Sequence, residues 1–195
     1  MTKQSRKPNS QSSGHIRIIA GKHRSRKLPV KDLPGLRPTT DRVKETVFNW
    51  LMQKTHNAAV LDCFAGSGGL GFEALSRYAS SVTFIELDKS AAAQIKQNLV
   101  TLKEEATVIN GSALDNIPKL TQSYNLVFID PPFRKDLAQP CCELLDKHNL
   151  IAKDGLIYLE VESEIAQLNL PTQWQLLKEK VAGQVKYQLY QNCIA

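Results

Sequence analysis

The chain has 195 residues, of which 42% are hydrophobic and 23% charged, and its formal net charge is +6. That mix is ordinary for a globular protein of one domain plus a small extension, long enough to bury a core unaided, and no apolar run reaches the roughly 20 residues of a membrane span. The charge is uneven: residues 1–44 carry a net +10 and residues 45–195 a net −4, which points to a mildly acidic body whose cationic N-terminal segment faces a polyanionic partner.

Residues 1–13, "MTKQSRKPNSQSS", read as a basic disordered tail. They lack the apolar stretch of a secretory signal. The four cysteines, Cys63, Cys141, Cys142 and Cys193, form no CxxC pair, so reduced thiols in a cytoplasmic protein are expected rather than zinc or a disulfide scaffold. Residues 14–52 form an N-terminal extension. In "HIRIIAGKHRSRKLPV" basic and apolar residues alternate about a turn near Gly21, which predicts a β-hairpin. Its Arg17, Lys22, Arg24, Arg26 and Lys27 are candidate phosphate contacts. A helix should follow Thr39-Thr40-Asp41, a capping cluster, with Val43, Val47 and Leu51 at helical spacing and Phe48 beside them. Arg37, Arg42 and Lys44 either rim an anion-binding cleft or belong to a solvated helix face; spacing leaves both open.

Residues 53–195 alternate strand with helix. "AVLDCF", "SVTFIEL", "ATVIN", "YNLVFID" and "GLIYLEV" read as strands. Between them, "GLGFEALSRYA", "KSAAAQIKQNLVTL", "ALDNIPKL" and a stretch near "LAQPCCELLDKH" read as helices. This is an α/β pattern, Rossmann-like, with a mostly parallel sheet and helices on both faces. "WQLLKEKVA" and "VKYQLYQNC", either side of Gly183-Gln184, predict a closing antiparallel hairpin.

Ligands of such sheets bind beyond the carboxyl ends of the strands. The first strand there runs into "LDCFAGSGGLG", in which Gly66 to Gly71 satisfy G-x-G-x-x-G. Glu86 ends the next strand 20 residues beyond Gly66, a spacing that suits a carboxylate holding two ribose hydroxyls. NAD and S-adenosylmethionine both fit thus far. Asp62, at the strand end before the glycine turn, separates them. A carboxylate there repels a pyrophosphate but favours the ammonium and sulfonium of S-adenosylmethionine. Bracing the loop is its plainer role. Phe64, Ala65, Gly66 and Gly68 in the turn, Leu87 after Glu86, and Ser112 and Ala113 after the third strand complete the candidate cofactor contacts. Asp115 should sit one turn into a helix, as a capping or surface acid.

The fourth strand ends in "DPPFRK". The exocyclic amine of a nucleobase is a poor nucleophile, because its lone pair is delocalised into the ring. Two acceptors, the Asp130 carboxylate and the Pro131 carbonyl, would hold its two hydrogens and aim the lone pair. Pro131 and Pro132 stiffen that carbonyl's position. Phe133 offers a face for a flipped base, and Arg134 and Lys135 meet flanking phosphates.

"LDCFAGSGGLG", Glu86 and "DPPF" resemble the motifs of class I S-adenosylmethionine-dependent methyltransferases that act on exocyclic amines of bases. With "RIIAGKHRSRKL", "GLRPTTDRVKETVFNWL" and "EKVAGQVKYQLYQ", the chain from His15 to Gln191 resembles the RsmD family of bacterial 16S rRNA guanine-N2 methyltransferases. The resemblance implies a seven-stranded sheet. It also implies transfer to guanine 966 on the 30S subunit or an assembly intermediate, with no metal and no membrane. On this pattern Asp130 to Phe133 are catalytic, Gly66 and Gly68 form the cofactor loop, and Glu86 is the ribose acid. Ser112 stands where related enzymes often place an acid or Asn, and His23 and Ser25 stand in place of an aromatic and a glycine. A DNA N6-adenine or N4-cytosine methyltransferase, an NAD oxidoreductase and a non-catalytic RNA-binding assembly factor remain as alternatives.

Overall fold

The computed structural model describes residues 14–31, 40–52, 54–165 and 168–194. The expected tail 1–13 and Arg37 lie outside them. The predicted hairpin is present as β1 (His15–Arg17) and β2 (Lys27–Pro29), paired antiparallel. Helix α1 (Asp41–Leu51) follows, capped by Thr40, whose side chain accepts from the Val43 amide. Its apolar stripe buries Val47, Phe48 and Leu51.

Next come β3 (Ala59–Asp62), α2 (Gly69–Ser76), β4 (Ser81–Glu86), α3 (Lys89–Leu102) and β5 (Thr107–Asn110). A short α4 (Ala113–Asn116) continues into one 3-10 turn (Ile117–Lys119). The chain then forms β6 (Tyr124–Ile129), α5 (Ala138–Lys147), β7 (Ile151–Glu162), β8 (Trp174–Ala182) and β9 (Val185–Asn192). The seven strands β3 to β9 make one sheet in the order β5-β4-β3-β6-β7-β9-β8. β9 pairs antiparallel with both β7 and β8, while the other pairs are parallel, so β9 alone runs against the rest. The expected closing hairpin is therefore β8–β9.

Each sheet face carries its own core. One is filled by α1, α2 and α3, through side chains such as Phe48, Phe72 and Ile95, and by the hairpin's Ile16, Ile18 and Leu28. The other holds Ile117 from the 3-10 turn and Cys141, Cys142 and Leu145 from α5. All four cysteines are free thiols, three of them buried. Strand order reverses between β3 and β6, whose registers pair Asp62 with Phe128. A parallel sheet leaves its crevice at such a reversal, beyond the carboxyl ends.

Candidate active site

The glycine turn fills the step from β3 to α2. Gly66 and Gly68 adopt φ of 54° and 79°, left-handed conformations that cost a side-chain-bearing residue about 1 kcal/mol or more. At Gly71 the constraint is space: a Cβ would lie 2.1 Å from the Phe84 ring, so glycine lets α2 lie against β4. Glu86 ties this turn to β4. One of its oxygens accepts from the Gly66 amide at 2.6 Å and the other from the Asp88 amide at 2.7 Å. Burial raises its pKa, and those amide donors oppose the rise. The acid expected to hold a ribose thus also shapes the turn, with lone pairs left over on each oxygen.

Asp62 is 2% exposed and accepts from the Gly71 amide at 3.2 Å. It does brace the loop. Burial pushes its pKa up to about 7, with the charge of Glu86 adding to the rise. Leu87, just past Glu86, is 72% exposed, an apolar side chain standing free at the crevice. Ser112 is the N-cap of α4 but makes no side-chain capping bond, and Ala113 behind it is buried. Asp115 lies in the first turn of α4, as its position in the sequence suggested.

Asp130 follows β6 directly. It is two residues beyond Phe128, the register partner of Asp62, so strand alternation puts Asp62, Phe128 and Asp130 on one face. Burial raises the Asp130 pKa well above the carboxylate range, and the charges of Glu160 and Asp62 raise it further. Pro131 is buried, Pro132 is exposed, and Phe133 presents its ring at 41% exposure. The chain then turns through Arg134 at φ 58°, whose amide donates to the Glu162 carboxylate. Arg134 and Lys135 are solvent-exposed.

Glu160 escaped the sequence reading. β6 and β7 pair Ile129 with Leu159, which places Glu160 beside Asp130. It is 9% exposed and accepts from the Tyr158 hydroxyl at 2.8 Å. Burial raises its pKa while the tyrosine bond lowers it. The signal was available: "IYLEVE" is a strand buried on both faces, and an acid inside such a strand has a reason to be there.

The N-terminal cations are scattered rather than gathered. Lys44, a candidate RNA contact that spacing leaves between a cleft rim and a solvated helix face, takes neither place and is 1% exposed. Its ammonium donates to the Arg17 carbonyl and pairs with Asp41 at 3.2 Å. An amphipathic helix turns position 44 inward with Val47 and Phe48, so the aliphatic stem is buried and the charge is met locally. Arg17 pairs with Asp41 at 2.6 Å, and Lys22 pairs with Glu104 at 2.8 Å. His23 also meets Glu104. Arg24 and Lys27 are exposed, as is Arg26, which reaches the Thr101 carbonyl at 3.4 Å.

The hairpin tip docks at the C-terminal ends of α2 and α3. The Lys22 amide donates to the Ser76 carbonyl at 2.8 Å and the His23 amide to the Ser76 hydroxyl at 2.9 Å. Those helix ends lie at the sheet's amino edge, because each helix runs back from the carboxyl edge. The tip therefore does not open onto the crevice. It sits one helix length away, roughly 12 to 20 Å at 1.5 Å per residue. Arg42, exposed in the first turn of α1, shares a slot with Ala182, next to the 183–184 turn that Ser163 holds at the carboxyl end of β7.

Known proteins resemble this chain in sequence and fold. Residues 16–191 match a family model described as "Conserved hypothetical protein 95". The Ribosomal RNA small subunit methyltransferase D of Escherichia coli strain K12 is 52% identical over 188 residues, covering 96% of this chain and 95% of its own length. The protein of that name from Haemophilus influenzae is 54% identical over 190 residues, covering 95% and 97%. A solved Escherichia coli structure of a candidate methyltransferase, yhhF, superposes with a TM-score of 0.85 at 48% identity, covering 92% of this chain and 99% of that one.

Proposed function

The chain belongs to the ribosomal RNA small subunit methyltransferase D family, and from that premise we propose that it transfers a methyl group from S-adenosylmethionine to N2 of guanine 966 in 16S rRNA, on the 30S subunit or an assembly intermediate. The observation that carries this reading is the meeting of Asp62, Asp130 and Glu160 on one sheet face, at the strand-order reversal, beside a glycine turn held by Glu86. Several buried acids crowd this crevice, and no ion pair to a cation is found for any of them among the described residues. Such a crevice repels a pyrophosphate and suits a ligand bearing an ammonium and a sulfonium.

The residues fit that cofactor. Glu86 would hold the ribose hydroxyls, Leu87 and the Ser112-Ala113 step would flank the adenine, and Asp62 would face the methionine end. Bound there, S-adenosylmethionine supplies an electrophilic methyl on a cationic sulfur. The protein's task is to present the guanine amine. The Asp130 carboxylate and the Pro131 carbonyl accept its two hydrogens, which fixes the nitrogen's orientation and turns its lone pair toward the cofactor. Phe133, exposed beside them, stacks on the everted base. As the amine gains its substituent it becomes acidic and gives its proton to Asp130 or to water.

Incubation with radiolabelled S-adenosylmethionine and small-subunit particles from a strain lacking the enzyme tests the reading. Label is expected on N2 of guanine 966. Label on another base, or none, overturns it.

A further inference from the structure

The crevice continues sideways onto a second feature. β8 and β9 join at Gly183-Gln184, and the Ser163 amide donates to the Gln184 carbonyl at 2.8 Å, which fixes that turn at the carboxyl end of β7. Register pairs Glu160 with Tyr187 and Tyr187 with Lys180, so the three lie in one line across β7, β9 and β8. α1 covers the same line. Between α1 and the β8–β9 hairpin is a slot of about 60 Å³, lined by Val43, Thr46, Val47, Ala182 and Tyr187 together with the cations Arg42 and Lys180. Both cations are exposed, and among the described residues neither forms an ion pair. Along this sheet face the acids Asp62, Asp130 and Glu160 thus give way to a cation-rimmed apolar recess.

We propose that this slot seats the RNA backbone next to the methylated nucleotide, with Arg42 and Lys180 on a phosphate and the apolar wall against a ribose or base. The inference rests on the RNA methyltransferase reading. β8 lies three strand spacings from β6, about 15 Å at 4.7–4.9 Å per strand. The long lysine stem shortens that gap toward a phosphate neighbouring a base held at Asp130. An apolar floor beneath cations is also what a nucleotide needs, since sugar and base pack while phosphate pairs. These cations stand at crevice level, where those of the β1–β2 tip do not.

The test compares wild type with the Arg42→Gln/Lys180→Gln double variant on small-subunit particles from a strain lacking the enzyme. The KM for particles should rise about tenfold, and the slope of its logarithm against log salt should fall by about one, for the one phosphate that the two cations neutralise. Affinity for S-adenosylmethionine, read by calorimetry, should change less than twofold. Arg42→Lys/Lys180→Arg, which keeps both charges, should restore most of the affinity for particles. An unchanged KM and salt slope would overturn the slot. So would a raised KM with an unchanged slope, the signature of a ribosomal protein rather than RNA against these side chains, or an equal loss of cofactor affinity. No labelling by wild type would sink the functional reading and the slot with it, whereas labelling by wild type alongside an indifferent variant sinks the slot alone.

Discussion

Two carboxylates on the same side of the sheet, the buried Glu73 and the half-buried Asp130, are treated in opposite ways. Glu73 is 0% exposed in the middle of α2, and both its oxygens are engaged. It accepts from the Ile19 amide at 2.8 Å and the Ala20 amide at 3.0 Å, and it pairs with Arg77 at 2.8 Å. That acid fastens the N-terminal hairpin to the body. Among the described residues no cation pairs with Asp130, and burial together with the charges of Glu160 and Asp62 holds its pKa up. A buried charge that is paired and hydrogen-bonded is structural. One surrounded by like charge costs stability, and the cost is borne where a ligand will later supply the missing partner. The first kind locates the anchor of the fold, the second its working edge.

The sharpest way to break this contrast is to remove each acid in turn. Asp130→Ala should lower methyl transfer at least about a thousandfold, since an acceptor that orients the reacting amine is lost. S-adenosylmethionine affinity, measured by calorimetry, should stay within a few-fold. Equal loss of both would make Asp130 another structural acid. Glu73→Ala should do the reverse. Breaking a buried pair costs about 3–5 kcal/mol, a drop of roughly 10 °C in Tm for a chain of this size. Activity below the new Tm should persist. A variant that stays as stable as wild type would mean the hairpin is held by its apolar contacts alone.

The acids differ in their pH signature as well. The Asp62 carboxyl has an ordinary value of 3.8 when unfolded and about 7 when folded. The native state therefore holds a proton that the unfolded chain has released. The corresponding stability is fully present below about pH 4 and is lost as pH rises through about 7. The size is on the order of 4 kcal/mol. Thermal unfolding without cofactor should show the wild type losing stability between about pH 4 and about pH 7. Asp62→Asn, which keeps an acceptor for the Gly71 amide, should flatten that slope. Parallel pH profiles for the two proteins would remove Asp62 from the acidic cluster.

Much of this edge was legible in the sequence because its signals are local. Strand-ending runs such as "VLDCF" and "LVFID" announce the sheet, and the glycine spacing announces the turn. The closing hairpin could be read from alternation around Gly183-Gln184. What escaped reading depends on contacts across the fold. Spacing leaves Lys44 between a cleft rim and a solvated face, because it says which face a residue shares, not which face is covered by the hairpin. Glu160 gains its meaning only when register puts it beside Asp130. The hairpin's basic residues read as a phosphate-contacting surface. Only the docking of residues 19–23 against Glu73 and Ser76 shows that their tip lies at the other end of the helices.

That separation yields the smallest expected effect and the most direct test of what charge counting misses. Residues 1–44 carry a net charge of +10 against −4 for the rest, and a polyanion is drawn to that excess at long range. Close contact is another matter. If the RNA reaches the protein mainly at the carboxyl edge, then Arg24→Gln at the hairpin tip removes only a diffuse attraction. That attraction is screened beyond about 8–10 Å at physiological salt. The KM for particles should then change less than about twofold at that salt, with a salt slope close to wild type. Arg134→Gln, beside Phe133, should raise KM several-fold and lower the slope by about one. Were Arg24→Gln to match Arg134→Gln in both measures, the bound RNA would have to run the length of α2 and α3, and the hairpin would be a contact surface in its own right.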